Sequence, residues 1–80
     1  TAEDVASGSL GHVDRAWVGR TIEQIEEATG ARIPFVFRMG SGIVPKRTSI
    51  FQDGDLLYAA IVDAKLAAVE AILGSPPRGV

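Results

Sequence analysis

The residues able to do chemistry in this chain are few. They are His12 with Asp14 two positions on, the aspartates Asp53 and Asp55 around Gly54, the Gly40-Ser41-Gly42 pair, the serines Ser7, Ser9, Ser41 and Ser49, and Trp17. Glycines spaced like Gly40 and Gly42 can admit a pyrophosphate to a helix N-terminus. Here, however, the third glycine of that pattern falls on Pro45, and the residues after the pair have strand character, so a hairpin accounts for both glycines. Asp53 and Asp55 could hold a cation or act as acid and base. The same residues are turn formers for local reasons, since Asp caps its own backbone and Gly accepts positive φ. A turn is the simpler expectation, with a weak or regulatory cation site as the other. One imidazole beside one carboxylate falls short of the three protein ligands of a catalytic zinc. None of these serines, Ser7, Ser9, Ser41 or Ser49, is accompanied by a base and an oxyanion loop. The chain is therefore expected not to be an enzyme. Trp17, followed by Val18 and Gly19, either packs over the start of a helix or belongs to a contact surface.

The elements that must position these residues belong to a single domain of 80 residues. A chain of this size buries only about 60–65% of the surface its unfolded form exposes. With no cysteine and only five aromatic residues, its core must come from Ile, Leu, Val and Ala, and a cytoplasmic setting is expected. Eight basic residues are scattered among ten acidic ones, which gives no basic face for a phosphate backbone and argues against nucleic acid as a partner. The longest apolar run, Leu56 to Val62, is far too short to cross a bilayer, so no membrane insertion is expected. The chain starts at Thr1, which suits a fragment or a processed product.

Along the chain, residues 1–9 are expected to form a lead-in or linker, with Val5 and Leu10 to Val13 the candidates for a first strand. Thr21 and Gln24 have capping-box spacing. The helix they open should run to Thr29, burying Ile22, Ile25 and Ala28, and should stop at Gly30. Residues 31 to 38 alternate so that Ile33, Phe35 and Phe37 should share one side of a strand, with Pro34 at a sheet edge or in its first residues. The densest punctuation lies between Arg38 and Asp55. There, Gly40-Ser41-Gly42 should turn into a short strand Ile43 to Lys46, and Gln52 to Asp55 should turn into a strand Leu56 to Val62. Both sides of that last strand are apolar or small, which predicts a central strand covered on two faces. A final helix is expected from an Asp63 cap, with Leu66, Val69, Ile72 and Leu73 on one stripe and Gly74 ending it before Pro76 and Pro77. The economical fold is α+β, a β-α-β-β-β-α domain with helices on one face of a mixed sheet.

Several segments together resemble the C-terminal domain of regulators of potassium conductance, the TrkA-C type. They are Val18-Gly19-Arg20-Thr21-Ile22, Ile33-Pro34-Phe35-Val36-Phe37-Arg38, Gly42-Ile43-Val44-Pro45, and Thr48 leading to Gly54-Asp55-Leu56-Leu57. The likeness runs from about residue 8 to residue 74 and would make residues 10–74 the domain and 75–80 a tail. It implies a cytoplasmic, dimerising, non-catalytic domain that sits peripheral to the membrane behind a nucleotide-binding Rossmann domain. It would then regulate a Trk or Ktr potassium transporter subunit, with cyclic di-AMP or a cation as the effector and no cofactor in this segment. Carried across position by position, the effector or dimer surface would comprise Phe37, Arg38, Ile43, Val44 and Pro45, with Arg38 pairing a phosphate and Ile43 and Pro45 covering a base. The alternative is a generic ligand-sensing or dimerisation module attached to an enzyme or another transporter.

Overall fold

The computed structural model describes residues 5–78, and for Val5 and Ala6 only the backbone. Strand β1 (Val5–Ser9) is followed by a short 3-10 turn at Arg15–Trp17 and helix α1 (Ile22–Thr29). Strands β2 (Arg32–Arg38), β3 (Ser41–Ile43) and β4 (Leu56–Val62) come next, and a second 3-10 turn leads into helix α2 (Leu66–Leu73). The β-α-β-β-β-α order is the expected one. The lead-in is shorter than expected, because residues 5–9 already belong to the sheet, and Leu10 to Val13 form no strand. Val5-Ala-Ser-Gly-Ser lacks an alternating apolar pattern. It is held as an edge strand by backbone pairing to β4, continued by the Leu10 N–H to the Leu57 carbonyl at 2.9 Å.

The four strands lie in the order β1-β4-β2-β3, and every pair is antiparallel, so the sheet is not mixed. β1 and β2, joined by α1, do run in the same direction, as a β-α-β unit requires. β4 inserts between them and turns both neighbours into antiparallel pairs. The two eight-residue helices cover one face of the sheet only. Along β4 this leaves Leu57, Ala59 and Ile61 buried, while Leu56, Tyr58, Ala60 and Val62 on the other face are not, which corrects the expectation of a strand covered on both sides.

β2 departs from simple alternation. Its pairing to β4 shifts between Arg32 and Phe35, around Pro34, and the irregularity moves the strand's parity by one residue. Ile33 and Val36 therefore point into the core, whereas Phe35 and Phe37 lie on the open face, 42% and 37% exposed. Pro34 brings no N–H to this break in the ladder, which is where a proline is tolerated.

The helices follow local chemistry closely at one end of the molecule. The capping box forms as expected: Thr21 Oγ1 accepts from the Gln24 N–H at 3.1 Å, and Gln24 Oε1 accepts from the Thr21 N–H at 2.9 Å. Gly30 closes α1 at φ 74°. Thr29, not Ala28, is the third buried residue of the helix, because its hydroxyl donates to the Ile25 carbonyl at 2.8 Å and so can enter the core. In α2, Val69 and Leu73 are buried and Leu66 is partly so, while Ile72 stays exposed. Asp63 is not its cap: it opens the 3-10 turn, Lys65 stands at the cap position without a side-chain bond, and Gly74 keeps a right-handed conformation.

Residues 75–77 are also more than a tail. Pro77 is buried, and the Trp17 indole N–H donates to the Ser75 carbonyl at 2.7 Å across a sequence gap of 58 residues. Trp17, 3% exposed, thus takes the packing role. Asp14 caps the neighbouring turn through Ala16 N–H at 2.9 Å, which leaves His12 exposed and without a carboxylate partner in that segment. Among the described residues no group of three His, Cys, Asp or Glu could hold a metal ion, and no helix is long and apolar enough to cross a membrane.

Candidate functional site

The hairpin between β2 and β3 is tighter than the glycine spacing implied. Its two turn residues are Met39 and Gly40, at φ 52° and 81°, with Arg38 paired to Ser41. Positive φ at both positions is the type I′ geometry that suits a two-residue hairpin. Gly42 lies in β3 itself, beside the Phe37 ring, and the strand ends at Ile43 instead of running on to Lys46. Val44 and Pro45 open a loop that returns along α1. Its backbone accepts from the first two helical N–H groups, Ile22 to the Ser49 carbonyl at 2.9 Å and Glu23 to the Arg47 carbonyl at 3.0 Å. With Gln24 served by Thr21, three otherwise orphaned N–H groups of the helix start are satisfied. The loop also exchanges backbone bonds with the approach to α1, from Gly19 N–H to the Phe51 carbonyl at 2.8 Å and from Phe51 N–H to the Arg20 carbonyl at 2.9 Å.

This folding back creates a cleft of about 210 Å³ lined by Ile22, Val36, Arg38, Ile43, Pro45 and Ile50, together with Ser49 and Gln52. Of the five sequence-predicted residues, the structure brings Arg38, Ile43 and Pro45 together here. Phe37 lies on the opposite face of the sheet, edge-on to Tyr58 at a centroid distance of 6.4 Å, and Val44 points out, 75% exposed. Phe37 and Arg38 are consecutive in β2 and so must face opposite ways, the parity shift at Pro34 decides which of them faces the cleft, and the end of β3 at Ile43 leaves Val44 in the loop.

Arg38 carries the electrostatics of the cleft. Its Nε donates to Asp55 Oδ1 at 2.9 Å and its Nη2 to Asp55 Oδ2 at 2.7 Å, a bidentate pair, while Nη2 also reaches the Ile50 carbonyl at 3.2 Å. Asp55 Oδ2 accepts in addition from Gln52 N–H at 2.9 Å and so closes the turn in which Gly54 takes φ 85°. The turn expectation for Gln52 to Asp55 holds, and Asp55 acquires a second task as the clamp on Arg38. The guanidinium's Nη1 remains without a protein acceptor among the described residues. Sequence reasoning did not find the Asp55 partner; its only trace was an acidic residue at the far end of the same punctuated stretch.

The hydrogen bonds from Arg38 hold the Asp55 carboxyl below its usual range, against the opposing effect of burial, with the Gln52 N–H adding to them. Because the folded-state value lies below the unfolded one, this contribution is complete above the unfolded pKa of about 4 and is lost as pH falls through the folded value. The urea midpoint is therefore expected to be level from pH 7 to 5 and to fall at lower pH. Asp55→Asn should cost about 1–3 kcal/mol at pH 7 and make the acid limb shallower. An acid limb of the same steepness in that variant would show that the pair does not contribute.

Comparison with known proteins follows the same outline. No family model matches the chain. A curated Trk system potassium uptake protein TrkA of Streptomyces coelicolor is 35% identical over 67 residues, which are 84% of this chain and 30% of that protein. Among solved structures, the GsuK channel aligns at TM-score 0.72 and 28% identity, over 95% of this chain and 14% of that one. The RCK C domain of the potassium transport protein KtrA, solved with cyclic di-AMP, aligns at TM-score 0.65 and 19% identity, over 86% and 81%. The RCK_C domain dimer of S. agalactiae BusR with cyclic di-AMP aligns at TM-score 0.58 and 21% identity, over 89% and 94%.

These likenesses define the class: a small α+β domain of the kind that forms part of potassium transport proteins. Within it, the chain is similar over most of its length to the C-terminal RCK domain, the TrkA-C type. It spans less than a third of the curated relative's length.

Proposed function

We propose that this chain is the dimerising, non-catalytic regulatory domain, residues 10–74 extended by β1, of a Trk- or Ktr-type potassium uptake system in the cytoplasm. The observation that carries this is the 35% identity to a TrkA protein over 84% of the chain. In this reading the domain works beside a Rossmann domain and a membrane transporter subunit. An effector, cyclic di-AMP or a cation, is sensed at the Arg38, Ile43 and Pro45 cleft.

The cleft's chemistry supports an anionic, partly apolar ligand, with Nη1 of Arg38 as the donor and Ile43, Pro45 and Ile50 as cover. At about 210 Å³ it lies below the 300–1,000 Å³ of usual small-molecule sites. Two copies meeting at their hairpins, with Phe37 and Val44 in the contact, would complete it. A ligand that prefers one dimer geometry then shifts the attached transporter by the difference of its affinities for the two states.

Thermal unfolding with added cyclic di-AMP tests this directly. At a hundredfold excess over Kd the ligand adds about 2.7 kcal/mol, a rise in midpoint of roughly 10 °C or more for a domain of this size. Arg38→Ala should abolish most of that rise. An unshifted midpoint with cyclic di-AMP and with divalent cations alike would sink effector sensing at this cleft.

A further inference from the structure

On the side of α1 away from the hairpin, a groove of about 600 Å³ runs between α1 and the segment that follows α2. Its floor is apolar, with Ala28, Ala71, Ile72 and Pro76 exposed over the buried Trp17 and Pro77, and its rim carries Arg20, Gln24 and Arg78. Trp17 is fixed there by its bond to the Ser75 carbonyl, so the floor is a built surface and not a chance gap between mobile side chains. The rim has one sign. The two ion pairs among the described residues are Arg38 with Asp55 and Arg47 with Glu23, so no described carboxylate is paired with the guanidinium groups of Arg20 and Arg78. Gln24 spends its amide oxygen on the Thr21 N–H of the capping box, so what it offers the groove is its NH2 group. Among the described residues no acidic side chain lines the groove, although the chain as a whole is net negative.

The geometry points to a second ligand site, one for a small amphipathic anion: a flat apolar body lies on Ile72 and Pro76 over the edge of Trp17, and its carboxylate, sulfonate or phosphate group meets Arg20 and Arg78. The volume falls within the range of small-molecule sites, and an apolar floor with a few convergent donors is their usual composition. The site shares no residue with the Arg38 cleft, so it stands whether or not that cleft senses a nucleotide.

The test is a nitrogen-15 NMR titration of the whole chain with 8-anilinonaphthalene-1-sulfonate, followed by the uncharged analogue N-phenyl-1-naphthylamine. Trp17 is the only tryptophan, so its indole N–H signal reports on the groove floor by itself. The sulfonate should shift that signal and the amides of Gln24 and Ile72, and should bind more tightly than the uncharged analogue. Arg20→Gln combined with Arg78→Gln, both surface changes, should weaken the sulfonate roughly three- to tenfold, as two exposed charge contacts would, and should leave the uncharged analogue unaffected. Equal binding of the two probes, unchanged affinity in the double variant, or shifts centred on Phe35, Phe37 and Tyr58 would each overturn the assignment.

Discussion

Leu57→Ala is expected to lower the unfolding free energy by about 3–5 kcal/mol, whereas Leu56→Ala one position earlier should cost less than about 1 kcal/mol. Leu57 is fully buried at the middle of the sheet, opposite Val36 and beneath the helices, so its removal leaves a cavity that the surrounding core can only partly fill. Leu56 faces the other way and is 41% exposed. A domain of this length has a total stability of roughly 4–12 kcal/mol, so the first variant should give up at least about a quarter of it and the second far less. Urea unfolding followed by circular dichroism separates the two. Equal losses would mean that both faces of β4 are covered.

The second large effect concerns association. The open face of the sheet carries Phe35, Phe37, Leu56 and Tyr58, with Phe35 and Phe37 each edge-on to the Tyr58 ring at centroid distances of 6.0 and 6.4 Å. Cross-strand pairing places Phe35 opposite Tyr58 and Phe37 opposite Leu56, so these side chains form one continuous apolar surface. If two copies associate through this face and the adjoining hairpin, Phe35→Glu with Phe37→Glu removes four partly exposed aromatic rings per dimer and places four carboxylates there. At about 1 kcal/mol for each ring, the dimer dissociation constant should rise by roughly 100-fold or more. The monomer fold should survive, because neither phenylalanine is in the core. Sedimentation velocity at micromolar to millimolar protein measures this. A wild-type chain that is monomeric throughout, or a double variant that dimerises as well as wild type, would remove the open face from the interface.

Much of the fold was legible because its signals were local. The Thr21 and Gln24 capping box, Gly30 at positive φ and the Gln52 to Asp55 turn all depend on residues within four positions of one another, and each formed as its chemistry required. The readings that failed had two sources, local hydrogen bonding that overrode the apolar pattern and partners far along the chain. Ala28 gave way to Thr29 because a helix carbonyl was available to its hydroxyl, and the Asp63 cap was replaced by a 3-10 turn. β1 was signalled only by Val5 as one of two candidates, because small polar residues become a strand only when an edge of β4 is present to pair with them.

The candidate site shows the same division. The sequence by itself determined that Arg38, Ile43 and Pro45 lie close to a tight hairpin, that the helix after Thr21 begins where it does, and that the chain has the composition of a small α+β domain. Tertiary structure alone decided which way the side chains point. Pro34 breaks the ladder and reverses the parity of β2, which sends Phe37 to the open face and leaves Val36 and Arg38 on the side of the cleft. It also decided that Arg38 is clamped by Asp55, 17 residues away. Side-chain direction in a strand alternates with every residue, so one irregularity anywhere along it reassigns all that follow. No local pattern records that reassignment until the neighbouring strand is in place.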